Sequence, residues 1–362
     1  MDTEDAYYLA FSYCLGIGPQ RFSTLLNVFE TAEKAYTAPL GELQQAIGVD
    51  PALKLDKFRR SFSIEQTQSD IEQKHIHVIS RRSPLFPAQL RELPDAPICI
   101  YIKGKKEDIN FSKKSFFGIV GTRRPSWYGQ QISRRFSALL TQAGFCIVSG
   151  MALGVDTVAH QAALENGGKT IAILGCGVDI IYPPQNTKLY EQIVSGGGVV
   201  ISEFPPGQTV LKGLFVARNR LISGLSAGIM VVEGLKNSGA LITARYAAEQ
   251  GKDVFAPPVP LTSPLSEAPN ILLKQGAKLV TGVEDILEEY GIQSRPVLKN
   301  IVDGLSAEEQ NIVRNIQEEP LIVDEIAIRL QEPVTSVLNT LSVLEISGVV
   351  KKNMEGKYEL AL

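Results

Sequence analysis

Arg123 and Arg124 stand in the stretch FFGIVGTRRPSWYGQQISRRFSALL (116–140), directly behind Gly121 and Thr122. An apolar run that breaks at a glycine and resumes with helical spacing reads as strand, turn and helix. That arrangement offers backbone N–H groups and a helix dipole to an anion. Arginine in place of further glycine adds fixed positive charge to the turn. A second basic group, Lys212, Arg218 and Arg220, lies in LKGLFVARNRLISG (211–224) together with Phe215 and Asn219. Helical spacing brings Lys212, Phe215 and Asn219 near one another on one face. A cation beside an aromatic ring suits an unpaired nucleic-acid strand, in which charge tracks the phosphates and a ring stacks on a base for ~1–3 kcal/mol. The competing reading puts Phe215 in the core and the arginines in surface ion pairs. Two clusters together favour a polyanion.

The elements around these residues alternate. Strand-like runs are 116–120, 145–149, 170–174, 199–202, 228–232, 253–256 and 278–280, with helix-length stretches between most of them. Most runs are apolar throughout, as expected when helices cover both faces. The pattern predicts an α/β domain built on a doubly wound parallel sheet. Four turns then gather beyond the carboxyl ends of the strands: Gly121–Arg124, Ser149–Met151, Gly175–Gly177 and Gly234–Gly239. Each supplies glycine, and several lead into helices.

Residues 1–80 read as a helical domain in which Gly16-Ile17-Gly18-Pro19 joins two helices. This fits a helix-hairpin-helix phosphate binder or a plain bundle equally well. Residues 81–290 hold the sheet, 291–300 form a linker, and 301–362 read as three helices and a hairpin, the winged-helix pattern. The net charge of −3 hides a division: residues 111–240 carry twelve basic and six acidic residues, a balance of +6, and 301–362 carry five and eleven, a balance of −6. The middle attracts anions and the tail repels them. No apolar run reaches membrane-span length, and the start, Met-Asp-Thr-Glu-Asp, has the wrong sign for a secretory address. A cytoplasmic protein without a membrane partner is expected. The four cysteines are scattered and read as buried free thiols.

Other chemistries fit poorly. AALENGGKT ends like a phosphate-binding Walker loop, but Ala163 occupies the opening glycine position and the segment enters a strand instead of leaving one. GCGVDI (175–180) has Ile180 where a dinucleotide fingerprint needs its third glycine. Asp156 and His160, four apart on a helix, could share proton transfer or a metal; with no third ligand in view, Asp156 reads as a first-turn acid at a helix start. His75 and His77 read as polar strand positions. Ser149 lacks the G-x-S-x-G context of a nucleophile. No cofactor, metal or catalytic residue is expected.

The strings GIVGTRRPSWYG, VSGMALGVDTVAHQAAL, ILGCGVDIIYPPQN, ISEFPPG, ARNRLISGLS and SGALITARYAAEQGKDVFA occur here in the order found in the DNA-processing protein A, or Smf, family. The chain resembles that family densely from about residue 85 to 287 and loosely in its flanks. The resemblance implies an extended Rossmann-like domain that binds single-stranded DNA, protects incoming strands in natural transformation and helps load a RecA-type recombinase. It implies no turnover, and a homodimer. Carried over by motif, Arg123 in the Gly121-Thr122-Arg123 turn holds a phosphate, Lys212 binds the backbone and Phe215 stacks a base. Asn219 and Arg220 line the same pocket, and Gly150, Ser238 and Gly239 contribute backbone N–H groups. The chain departs from the family at Leu214 and Val216, where His and Pro are usual, and at Pro258-Val259 and 268–270. The third helix of the winged-helix segment has no Lys or Arg, so protein contact or a structural role is expected there instead of groove reading. Two other readings remain: a phosphoribohydrolase-like nucleotide enzyme, though the closest string, SGGGVVISE, lacks the threonine of that motif, and a pocket that senses dinucleotides.

Overall fold

Apolar runs without alternation need cover on both faces, and the chain supplies helices for both. The computed structural model describes residues 2–105, 111, 115–292, 305–346, 349–353 and 355–360. These fall into two compact units, Met1–Ile286 and Leu287–Leu362. The linker expected at 291–300 lies, from 293 onward, outside the described residues.

The first unit opens with six helices: α1 (Thr3–Tyr13), α2 (Pro19–Phe29), α3 (Ala32–Thr37), α4 (Leu40–Ile47), α5 (Val49–Arg59) and α6 (Ile64–Gln73). Pro19 begins α2, where a missing N–H costs nothing. Phe11 and Phe22 are fully buried with ring centroids 5.0 Å apart. Glu4 accepts the backbone N–H of Ala32 at 2.6 Å and ties α1 to α3. The Gly16–Pro19 turn closes on itself: Ile17 N–H donates to Cys14 O at 3.1 Å and Arg21 to Gly16 O at 3.0 Å. His75, expected on a strand, sits instead at φ 52° just past the end of α6, and only His77 enters a strand.

Nine strands follow in one sheet: β1 (His77–Ser80), β2 (Cys99–Gly104), β3 (Ser115–Val120), β4 (Phe145–Ser149), β5 (Thr170–Ile173), β6 (Gly198–Ser202), β7 (Gly228–Val231), β8 (Asp253–Ala256) and β9 (Lys278–Leu279). Their spatial order is β1-β2-β6-β5-β4-β3-β7-β8-β9. From β6 to β9 every pairing is parallel. The reading of a wholly parallel sheet is corrected at the β6 end, where β2 and then β1 add antiparallel. The helices between strands are α7 (Ala88–Arg91), α8 (Trp127–Gln142), α9 (Val155–Glu165), α10 (Thr187–Gln192), α11 (Lys212–Leu225), α12 (Gly239–Glu249), α13 (Glu267–Lys274) and α14 (Glu284–Glu289).

Two apolar layers result. One joins Phe11, Phe22 and Leu55 of the helical region to Tyr101, Ala172 and Val200 of the sheet. The other packs Leu90, Leu221 and Leu225 against Ile100, Phe116, Val148 and Ile201. All four cysteines are buried and free.

The second unit carries α15 (Ala307–Glu318), α16 (Val323–Leu330), α17 (Val334–Ile346) and the hairpin β10 (Val350–Lys352) and β11 (Tyr358–Leu360). Ser306 and Glu309 close a capping box at the start of α15. Leu321 bridges to Tyr358 and completes the winged-helix pattern around its own core, which includes Ile312, Ile326 and Leu341. The three wing lysines are engaged. Lys351 pairs with Glu359 at 3.2 Å, Lys357 with Glu355 at 3.6 Å, and Lys352 lies 5.5 Å from the centre of the Tyr358 ring.

Gly198 opens β6 at φ 146°, and a Cβ there would stand 1.9 Å from the carbonyl oxygen of Thr170. Neither the angle nor the neighbouring backbone can yield cheaply. Gly198→Ala is therefore expected to cost at least ~1–3 kcal/mol, read as a lower urea midpoint of the sheet-bearing unit with an unchanged slope.

Candidate functional site

From β3 the chain runs outward through β4, β5 and β6, then returns to lay β7 on the other side of β3. The order reverses between β3 and β7, and at such a point the loops beyond the carboxyl ends diverge and leave a crevice. A cleft of about 710 Å³ opens there. One wall is Val120, Gly121, Thr122 and Arg123, from the end of β3. The facing wall is Leu235, Asn237, Ser238 and Gly239, from the end of β7 and the start of α12. The first two turns of α11 supply Lys212, Phe215 and Asn219.

Glu233 holds the arginine turn in shape. Its buried carboxylate accepts Ser126 N–H at 2.9 Å and Ser126 Oγ at 2.6 Å, while its backbone carbonyl accepts Thr122 N–H at 2.8 Å. Thr122 O in turn receives Val155 N–H at 3.2 Å. Arg123 and Arg124 are exposed on this pinned turn, and Lys212 is exposed at the first position of α11. Among the described residues no carboxylate pairs with any of the three.

Beneath them the floor is a buried charge pair. Asp156 accepts Gly150 N–H at 3.1 Å and Ala152 N–H at 3.2 Å. Burial pushes its carboxyl above the usual range, opposed by the charge of Arg218 and by these hydrogen bonds. Arg218 donates to the carbonyls of Gly150, at 2.7 Å, and of Ile173. Burial lowers its guanidinium to about 10, against the pull of Asp156, so it stays charged at neutral pH. Asn219 accepts from Arg218 at 3.2 Å and donates to Gly239 O at 3.3 Å, which ties α11 to the start of α12. Phe215 is half-buried with its ring centre 5.5 Å from that of Tyr182, which also faces the cleft.

Eight of the ten expected residues line the cleft: Gly121, Thr122, Arg123, Lys212, Phe215, Asn219, Ser238 and Gly239. Two do not, and both readings are corrected. Arg220 is buried and turned away, with Nη2 2.5 Å from Glu203 and Nε 2.8 Å from Asp95. Gly150 gives its N–H to Asp156, and a Cβ on it would meet the Arg218 guanidinium at 2.6 Å. It is glycine to admit an arginine, not a ligand. Ser238 lines the cleft but does not offer the expected N–H, which goes to Leu235 O at 2.9 Å; its hydroxyl caps α12 by accepting Ala240 N–H at 3.2 Å.

Of the four expected turns, the first and last line the cleft, whereas Ser149–Met151 and Gly175–Gly177 do not; Ala152 and Tyr182, further along the chain, line it instead. His160 is fully buried with Nδ1 2.6 Å from Thr170 Oγ1. No cluster of three metal-ligating side chains exists among the described residues. Sequence reasoning missed Glu233, whose one signal was a carboxylate closing an apolar run. It also missed Tyr182, which had none.

Residues 77–291 match the family described as DNA recombination-mediator protein A, and residues 300–353 the DprA winged helix domain. Protein Smf of Escherichia coli (strain K12) is 39% identical over 295 residues, covering 79% of this chain and 78% of that protein. DNA processing protein DprA of Streptococcus pneumoniae is 38% identical over 277 residues, covering 76% and 94%. The crystal structure of DNA processing protein A from Streptococcus pneumoniae aligns with a TM-score of 0.70 at 33% identity, over 78% of this chain and 97% of that one. A Helicobacter pylori structure, titled for the single-stranded DNA binding mode of DNA processing protein A, aligns with a TM-score of 0.54 at 30% identity, over 59% and 95%. No helix among the described residues is long and apolar enough to cross a membrane.

Arg220→Ala leaves Glu203 buried without its cation, and is expected to cost ~3–5 kcal/mol of stability without changing the salt dependence of anion binding. Chemical denaturation and a salt titration of the same variant separate the two effects. Burial, reinforced by Arg218, pushes His160 down to about 3 from its ordinary 6.5. Between those values the unfolded chain takes up a proton that the folded chain refuses. The stability present above pH 6.5 therefore falls as pH drops through this window, by up to ~1.4 kcal/mol per unit. The His160→Asn variant is expected to lose that part of the slope when unfolding free energies are compared at stepped pH.

Proposed function

Because this chain belongs to the DNA recombination-mediator protein A family, we propose that its cleft binds single-stranded DNA through phosphate and base stacking, without reading sequence. One observation carries the reading: Arg123 and Lys212, far apart in sequence, converge on one cleft beside an aromatic ring. Cations from two separate elements of one cleft suit a polymer with charge at every residue, and a half-buried ring suits any base because every base has a π face. The relative from Helicobacter pylori, titled for single-stranded DNA binding, supports the same choice of ligand.

The nearby carboxylates favour binding over turnover. Asp156 is committed to two backbone N–H groups and Glu233 to Ser126, so neither is free to activate water. We therefore assign no catalytic step, metal or cofactor to the cleft. Family membership also supports the finer role: a cytoplasmic, homodimeric mediator that shields incoming DNA in natural transformation and loads a RecA-type recombinase. The acidic winged-helix unit, with its lysines already engaged, is assigned to protein contact or structure.

Binding of labelled oligo-dT is expected to weaken steeply with salt. Arg123→Ala and Lys212→Ala should each reduce the slope of log K against log salt by ~0.7. Phe215→Ala should cost ~1–3 kcal/mol with the slope intact. Unchanged slopes in both cation variants would rule out the cleft as the phosphate site. For the finer role, assembly of a RecA-type recombinase on the same oligonucleotide should speed up when the protein is added; an unaltered rate would remove that part alone.

A further inference from the structure

The chain has a single tryptophan, and it is in the open. Trp127 is 76% exposed at the first position of α8, whereas tryptophan is normally highly buried. Its backbone is not loose. Ser126, the residue before it, is held by both carboxylate oxygens of Glu233, and Tyr128, the residue after it, donates its hydroxyl to Pro258 O at 2.5 Å. The backbone that carries this ring is thus fixed at the sheet edge that carries the cleft, while the ring itself stands in solvent without packing that would explain its size.

The residues leading to it make a series. Arg123 lines the cleft, Arg124 is exposed beside it, and Trp127 follows three residues on. Four residues of chain place the Trp127 Cα within about 14 Å of that of Arg123. The protein thus offers one aromatic, Phe215, in the cleft, cations on its wall and a second aromatic a few residues beyond them in the chain. That is the pattern of an extended single strand, bases on rings and phosphates on charges between them.

We propose that Trp127 is a second base-stacking platform, which takes the strand where it leaves the cleft over the Arg123–Arg124 turn. This inference rests on the cleft being a single-strand site and adds an exit direction to it. A strand long enough to span both rings should gain affinity over one that fills the cleft alone.

The test uses the full chain and two signals. Anisotropy of labelled oligo-dT reports binding, and intrinsic emission, arising from Trp127 as the only tryptophan, reports stacking. Saturable quenching that follows the anisotropy curve is expected. Trp127→Ala should weaken binding of long oligo-dT roughly 5- to 150-fold, Trp127→Phe should keep most of the affinity, and both should leave the shortest bound oligonucleotide unaffected. Normal anisotropy with unchanged emission, and a Trp127→Ala variant that binds as tightly as the wild type, would overturn the platform and leave the cleft reading intact. Emission that shifts with protein concentration alone would make Trp127 a contact between copies and overturn it as well. Absence of any anisotropy change would sink the cleft reading and this inference together.

Discussion

Arg218 carries the greatest electrostatic burden in the molecule. A guanidinium 4% exposed must be surrounded by acceptors, and here they come from three directions: the carbonyls at the ends of β4 and β5, the amide of Asn219 beside it, and the field of Asp156. Those partners are the scaffold of the crevice. Asp156 fixes the loop after β4 by holding two of its N–H groups, and Asn219 reaches across to the start of α12. The buried charge is thus the point at which β4, β5, α9, α11 and α12 are brought into register. Removing one partner would leave the others charged and dry, a cost far above that of any surface ion pair.

This arrangement separates charge that builds the cleft from charge offered at its mouth. Arg218 and Arg220 are both buried and both bind groups of the protein itself. Arg123 and Lys212 are exposed and reach solvent from the end of β3 and the start of α11. The buried positive charge still counts, because it lies in a low-dielectric floor and raises the potential of the crevice above it. Arg123 adds to this field, and its charge disfavours the proton of the buried Arg218 guanidinium.

Much of this was legible in the residues. Parallel strands buried on both faces leave continuous apolar runs, so β4 and β8 were found with the bounds they have, and β3, β5, β6, β7 and β9 within a residue. The antiparallel β2 was not found, and β1 only as a local alternation at His75 and His77, since register and direction at a sheet edge depend on distant partners. In the cleft, helical phase was the reliable guide. Lys212, Phe215 and Asn219 recur at intervals of three and four and share a face, whereas Arg220 lies about 100° further round. Phase alone placed it away from the cleft, and the carry-over by motif drew it in. Gly150 was misread for a different reason. A glycine that admits a ligand and one that admits a neighbouring side chain look identical in one dimension.

The pairing of β3 with β7 also constrains when the cleft can exist. Gly118 lies beside Ile229, and β4, β5 and β6 are all made between them in the chain. Contacts so remote in sequence form late, after the intervening loop has been closed by its own packing. A nascent chain that has emerged only as far as β6 already displays the arginine turn but has neither Lys212 nor the opposite wall. Capacity to grip a polymer therefore requires β7 and the start of α12, and a polypeptide halted at β6 holds only one side of the clamp.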